Sequence, residues 1–495
     1  MAKTTTKLTG FTDGMAADLR SSRGFALIQG FKTFAHKLVP QFATEASESK
    51  ALAITRFLYA PWLSTTSFAL FGYGVISSTR PAVYIKGNTT GDIVADSWGT
   101  PSGGADAAAG ARNTSVFFYY KGYIYGFAAG TRMWRFGKID DTSGSAWTDT
   151  YQSISYTNLA DPLHHPADDC AYFPVDNKIY RLNGTTWEGA VLTLPDNMVI
   201  TSIEADGDFI QVACKPKNGL GNSWSFQWDR DSSLETVTAK ADWGRGNLIH
   251  IANLQGVIIG VMDVFSLSSL GHSAGKIAVK ALIGGVVKTI AEYETSGLCY
   301  FEANKFVADD KLHFPFELYR DGSYIHGIYS VDARGQLRVE ISEPETDGGT
   351  AGLRYQGIYR TGEYWWIAHS NDGSVNRTND QAVYGTGIIE TNIISSPTVQ
   401  KLVGATIPCE PLPSNASITL KWRPVGTASW TNMTPTIAVA AGQTAIHFLK
   451  DTNGKPPSGI ELQYRIESSG GAVIVATENN PVVFVHETDD QKAYG

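Results

Sequence analysis

The sequence predicts an all-β protein: a β-propeller of six or seven blades, preceded by an irregular N-terminal arm and followed by an antiparallel β-sandwich. Three observations carry this. The apolar residues recur with a period of two along most of the 495-residue chain, in short runs rich in Val, Ile, Tyr, Phe and Trp that end at Gly, Asn or Asp. One hairpin unit repeats. After residue 383 that unit stops and longer alternating strands replace it.

The repeat is an apolar strand, a turn bearing Gly, Asn or Asp, and a second apolar strand that often carries an aromatic residue. It reads VFFYY-KG-YIYGF over 116–127, CAYFPV-DN-KIYRL over 170–182, ITSIEA-DG-DFIQVA over 200–213 and LIHIANL-QG-VIIGV over 248–261. Two more copies are KFVA-DD-KLHFPF over 305–316 and YQGIYR-TG-EYWWIA over 355–368, and a degenerate first copy spans 54–74. The turns at Gly122, Asn177, Gly207, Gly256, Asp310 and Gly362 lie about 30 to 55 residues apart, an interval that suits four-stranded blades. Third strands follow the hairpins, as in RMWRFGK and IHGIYSVD. A lone sheet with one apolar face has nowhere to bury it, whereas blades packed around an axis do. Separate hairpins in two or three sandwiches would give the same alternation. The short interval between Asn177 and Gly207 leaves six or seven units open.

The expected organisation is 1–50 as a docking arm, 51–383 as the propeller and 384–495 as the sandwich, with six strands and an NGKPPSG turn over 453–459. One short helix or turn is expected around Thr44 to Leu58, where Ala, Glu, Ser and Lys cluster. The arm carries Phe31, Phe34, Leu38 and Phe42, so it should dock on its own propeller or on a neighbouring subunit. On that reading, removing 1–45 leaves a soluble propeller that no longer oligomerises.

Charge narrows the function. Forty Lys and Arg against 48 Asp and Glu give a formal charge of −8, which excludes a chain that holds nucleic acid by counterion release. Cys170, Cys214, Cys299 and Cys409 form no C-x-x-C pair, which argues against a disulfide scaffold or zinc ribbon. No stretch approaches eighteen consecutive apolar residues, and the first fifteen lack an apolar core, so synthesis in a cytoplasm without membrane insertion is expected.

The densest polar cluster is DPLHHPADDC, with Asp161, His164, His165, Asp168, Asp169 and Cys170. Imidazole and carboxylate groups at these spacings suit a divalent metal, but the prolines point to a loop entering a blade. Asp309 and Asp310 fall in a hairpin turn, and Glu343 and Glu345 in a Pro/Gly loop. The segment from Gly184 to Trp187 approaches a sialidase-type Asp box but has Leu182 where the aspartate belongs, which weakens a glycosidase reading. Nucleophile-elbow, P-loop, H-E-x-x-H and dinucleotide motifs are missing. The expectation is a non-enzyme with no catalytic, cofactor or metal residues. Of the adjacent Trp365 and Trp366, on opposite faces of one strand, one is a candidate for stacking a sugar or a subunit.

The segments LVPQFATEASES, YKGYIYGFAAGTRMWRF, DDCAYFPVDNKIYRLNGTTW and IELQYRIESSGGAVIVATENNPVVFVHE resemble tailed-bacteriophage structural proteins. In size and layout the chain is similar to the propeller-containing nozzle proteins of the lower tail tube of short-tailed phages. That resemblance implies a virion component in a homo-oligomeric ring, commonly a hexamer, around the DNA exit channel. It implies other tail, portal or adaptor proteins as partners and DNA that passes without specific binding. The alternatives are a glycan-binding adsorption module of a phage tail or capsid surface and a polysaccharide-acting propeller enzyme.

Overall fold

A computed structural model describes residues 2–9, 25, 27–29, 31–34, 37–46, 54–61, 68–77, 80–86, 116–128, 130–137, 148–219, 221–231, 237–264, 273–301, 304–320, 323–344, 355–362, 364–369, 375–383 and 386–488. Among them every regular element is a β-strand.

Seven consecutive antiparallel meanders follow the chain: unit one (54–86), two (117–153), three (163–193), four (198–245), five (247–301), six (306–344) and seven (355–383). Unit one has three described strands. The seven units make six hydrogen-bonded sheets, because units five and six are continuous through the pairs Tyr300↔Glu317 and Phe301↔Phe316. First strands pack against first strands around an axis. Ile54–Pro61 touches Phe117–Tyr120 on one side and Tyr355–Thr361 on the other, so the last unit meets the first and the ring closes. This is a β-propeller.

The repeated hairpins all form, and outside the degenerate first copy, whose described strands are Ile54–Pro61 and Phe68–Ser77, their turns are two residues long. Tyr120↔Tyr123, Leu254↔Val257 and Ala308↔Lys311 are closing pairs. Lys121 and Gly122, Gln255 and Gly256, and Asp309 and Asp310 have positive φ at both turn positions, the backbone that matches the twist of paired strands. Unit three explains the uneven spacing. Its first strand is the short Leu163–His165, so the 170–182 hairpin joins its second and third strands. Counted from the turn at Asp168, the intervals to Gly122 and Gly207 become 46 and 39 residues.

The N-terminal segment differs from expectation. Its described residues are largely strand where an irregular arm was expected, and of the two docking sites expected for it they take the one on its own chain. Phe42–Ala46 pairs with Val375–Val383 and supplies the fourth strand of unit seven, which joins the two ends of the propeller in one sheet. Thr44 to Ala46 and Ile54 to Leu58 are therefore strand where a helix or turn was expected; 47–53 lie outside the described residues. A sheet partner more than 300 residues away overrides local helix preference.

The other described strands of the segment pair within the C-terminal unit. Ala2–Leu8 pairs with Val482–Thr488, Leu27–Gln29 with Thr386–Glu390, and the hairpin of Phe31–Phe34 with Lys37–Pro40 is extended by Ile474–Val475. The C-terminal unit is antiparallel, as expected, but its layers belong to one nine-stranded sheet. Ile394–Pro408 pairs with both Ala445–Asp451 and Ser458–Ser469, which closes five strands into a barrel. The length of that strand lets its two halves serve different neighbours, with register shifts between the pairings.

One hydrophobic core joins barrel and propeller. It runs from Phe448, Tyr464 and Phe484 through Phe25, Leu27, Phe31 and Leu38 to Val279, Phe314 and Val339 of units five and six. The tip of the Phe31 ring abuts Gly387, where a Cβ would stand 2.4 Å from it, so only glycine fits. Gln41 completes the join: its amide donates to Ser342 O at 2.9 Å and its carbonyl accepts from Ser342 N at 3.0 Å, pairing a buried backbone edge of unit six.

In the C-terminal unit Tyr464 and His486 contact each other at 2.8 Å, both buried. Burial pushes the His486 imidazole down to about 4. The unfolded chain takes up that proton near pH 6.5 and the folded unit does not, so stability is full above pH 6.5 and falls as pH drops towards 4. The expected loss is about 3 kcal/mol over that window, read from urea midpoints at several pH values. His486→Gln should flatten the slope between pH 6.5 and 4. Buried Glu340 loses its contribution only below the ordinary carboxylate range: burial pushes its carboxyl up, but His313, Lys311 and Ser330 hold it well down.

Candidate functional site

The cluster read from sequence as a metal candidate does assemble, together with partners that close it. His164 Nε2 lies 2.8 Å from Asp169 Oδ1, while Lys121 Nζ of unit two reaches Asp169 Oδ2 at 2.6 Å. Arg230 of unit four lies 3.0 Å from Asp168 Oδ2, and the Tyr172 hydroxyl donates to the same oxygen. Lys121 and His164 hold the Asp169 carboxyl below the usual range. Asp168 is also held low: burial pushes it up, but Tyr172 and Arg230 outweigh that.

His165 is fully buried, and Ala167 N–H donates to its Nδ1 at 3.3 Å. Its Nε2–H therefore donates to Phe209 O at 3.2 Å, which fixes a neutral tautomer. Burial, then Arg230, lowers its pKa. Burial, then Asp168, raises the Cys170 thiol, so it is a poor nucleophile. Among the described residues no group of three His, Cys, Asp or Glu side chains is placed to hold a metal. The turn is a junction of units two, three and four.

Asp161 belongs elsewhere, to a charged cluster formed by first strands and their entry segments. Lys305 Nζ, just before unit six, donates to Glu204 Oε2 at 2.8 Å, Ile203 O at 3.1 Å and Ile251 O at 2.7 Å. Arg56 of unit one lies 4.0 Å from Asp161. Burial raises the Asp161 carboxyl above its usual range, against the pull of Arg56 and Lys305. This cluster ties units one, three, four, five and six together. Sequence reading missed Arg56, Glu204 and Lys305, whose partners lie up to 105 residues away.

The turn aspartates are ties as well. Asp309 pairs with Arg360 of unit seven, and Asp310 accepts from Gln255 of unit five at 2.7 Å. Trp365 and Trp366 do face opposite ways, and both are buried. Trp365 packs with Ile328, Ile341 and Ile358, whereas Trp366 packs with Phe57 and Leu70 of unit one and donates to Thr361 Oγ1 at 2.7 Å. Neither ring is open to a sugar. Trp187 stacks on Tyr180, with ring centroids 5.4 Å apart. Glu345 lies outside the described residues, and only the backbone of Glu343 is described, in a strand.

The fold and these clusters define a propeller with a fused barrel whose most conspicuous charged groups neutralise one another. No protein-family model matches the chain, and no curated protein matches it. Among solved structures it is similar to the WD40 repeats of RRP9, at 9% identity over 70% of this chain and 100% of that one, with a TM-score of 0.44. It is similar to the N-terminal domain of Nup159, at 13% identity over 70% of this chain and 96% of that one, with a TM-score of 0.40. For BamB from Moraxella catarrhalis the identity is 10%, over 68% of this chain and 99% of that one, with a TM-score of 0.39. The propeller assignment stands on the strand pairing described above.

Proposed function

We propose that the chain is a structural component of a tailed-phage virion, a tail nozzle or tube-type protein that forms a homo-oligomeric ring around the DNA exit channel. The observation that carries this reading is mechanical: the N-terminal segment closes the propeller and shares one core with units five and six and the barrel. A conduit subunit has to keep its shape while a charged polymer moves past it. The formal charge of −8 supports the same reading, because a channel that passes DNA must not grip phosphate. Interlocked ion pairs at Asp168, Asp169 and Lys305 serve rigidity without requiring a substrate.

Electron micrographs of the purified full-length protein test the reading. Closed rings with a central opening, together with no salt-dependent retention of duplex DNA, are the expected result. A protein that stays monomeric at its highest soluble concentration overturns it.

A further inference from the structure

We infer that the cleft between units four and five is a binding site for one uncharged sugar residue. The cleft has a volume of about 220 Å³, and both units line it. Its polar side comes from unit four. Asp206 Oδ2 accepts from Gln211 Nε2 at 3.2 Å and from Gln227 Nε2 at 3.4 Å, which orients the carboxylate and leaves Oδ1 for an incoming donor. Ser225, 1% exposed, lines the same cleft, and its hydroxyl has no partner within the protein.

The opposite wall is apolar, from Ile258 and Leu282 of unit five. A carboxylate and amide groups facing a hydrocarbon wall match a ring with hydroxyls on its edge and C–H bonds on its face. An anion would meet Asp206. Lys240 also lines the cleft, but its ammonium lies 3.8 Å from the centre of the Trp224 ring, which holds it by cation–π attraction. The inference is independent of ring assembly, since the site lies within one chain, and it uses neither Trp365 nor Trp366.

The test is a titration of the full-length protein with glucose, galactose and mannose, with choline as a cationic control and sulfate as an anionic one, followed by ligand-observed NMR. At least one hexose should bind with a millimolar dissociation constant. Asp206→Asn should weaken it at least about tenfold. Gln227→Ala, which removes one of the two donors that orient Asp206, should weaken it several-fold. Repeating the titration with oligosaccharides ending in the preferred hexose separates a free sugar from a glycan terminus, and binding of either kind supports the site. The inference fails if no hexose binds at about 50 mM, if hexose binding is unchanged in both variants, or if only choline or sulfate binds.

Discussion

Deleting residues 2–46 should abolish cooperative folding, contrary to the sequence-based expectation that a soluble propeller would remain. The deletion removes Phe42–Ala46, and with it the strand that makes unit seven four-stranded. The edge of Val375–Val383 is then bare, and the propeller has no sheet containing both its ends. It also removes Phe25, Leu27, Ile28, Phe31 and Leu38 from the shared core, and Gln41 from its two bonds to Ser342. Burial of a large apolar side chain contributes about 1.5–3 kcal/mol, so five of them together are comparable to the whole stability of an ordinary domain. The expected readout is aggregation, or loss of a sigmoidal thermal transition in circular dichroism. Phe31→Ala alone should cost about 3–5 kcal/mol, because the space over Gly387 is left empty. A truncated protein that melts like the full chain would contradict this.

Lys305→Met should be strongly destabilising. Lys305 has a side chain only 11% exposed and gives three hydrogen bonds, to Glu204 Oε2 and to two carbonyls from units four and five. Methionine keeps the length of the stem but strands Glu204, which is itself 19% exposed, and leaves Ile203 O and Ile251 O without that donor. Removing one member of a mostly buried pair costs about 3–5 kcal/mol, and the residual exposure lowers the expectation to about 2–4 kcal/mol. Arg360→Met, by contrast, should cost under about 1 kcal/mol, since Asp309 is 65% exposed. Guanidinium unfolding of the two variants makes the comparison, and equal losses would show that Lys305 ties nothing essential.

The hairpins were legible because their partners are neighbours. A two-residue turn such as Gln255–Gly256 places Leu254 opposite Val257, and alternation does the rest. Unit three misled the count because its first strand, Leu163–His165, is too short to show a period. The closing strand was not legible. Thr44 pairs with Thr378, and nothing local to either residue records the other. The same distance hid Lys305 and Gln41. In the DPLHHPADDC cluster the sequence supplied the carboxylates and imidazoles, but not Lys121 and Arg230, which come from other units and occupy the carboxylates. For Trp365 and Trp366 the alternation was right about faces, but unit seven has neighbours on both sides, so each face is covered. The cleft at Asp206 is made by two units meeting and has no counterpart along the chain.

The closure of the propeller by its own N-terminal strand can be tested by pairing cysteines at Thr44 and Thr378, which face each other in the register. Paired residues on adjacent strands lie about 4.5–5.5 Å apart at Cα, within reach of a disulfide. The native Cys170, Cys214 and Cys409 are buried, and peptide mass mapping identifies which cysteines have joined. Mild oxidation of Thr44→Cys/Thr378→Cys should give an intramolecular link in nearly every chain and raise the melting temperature. A link found only between chains, or none at all, would contradict the account.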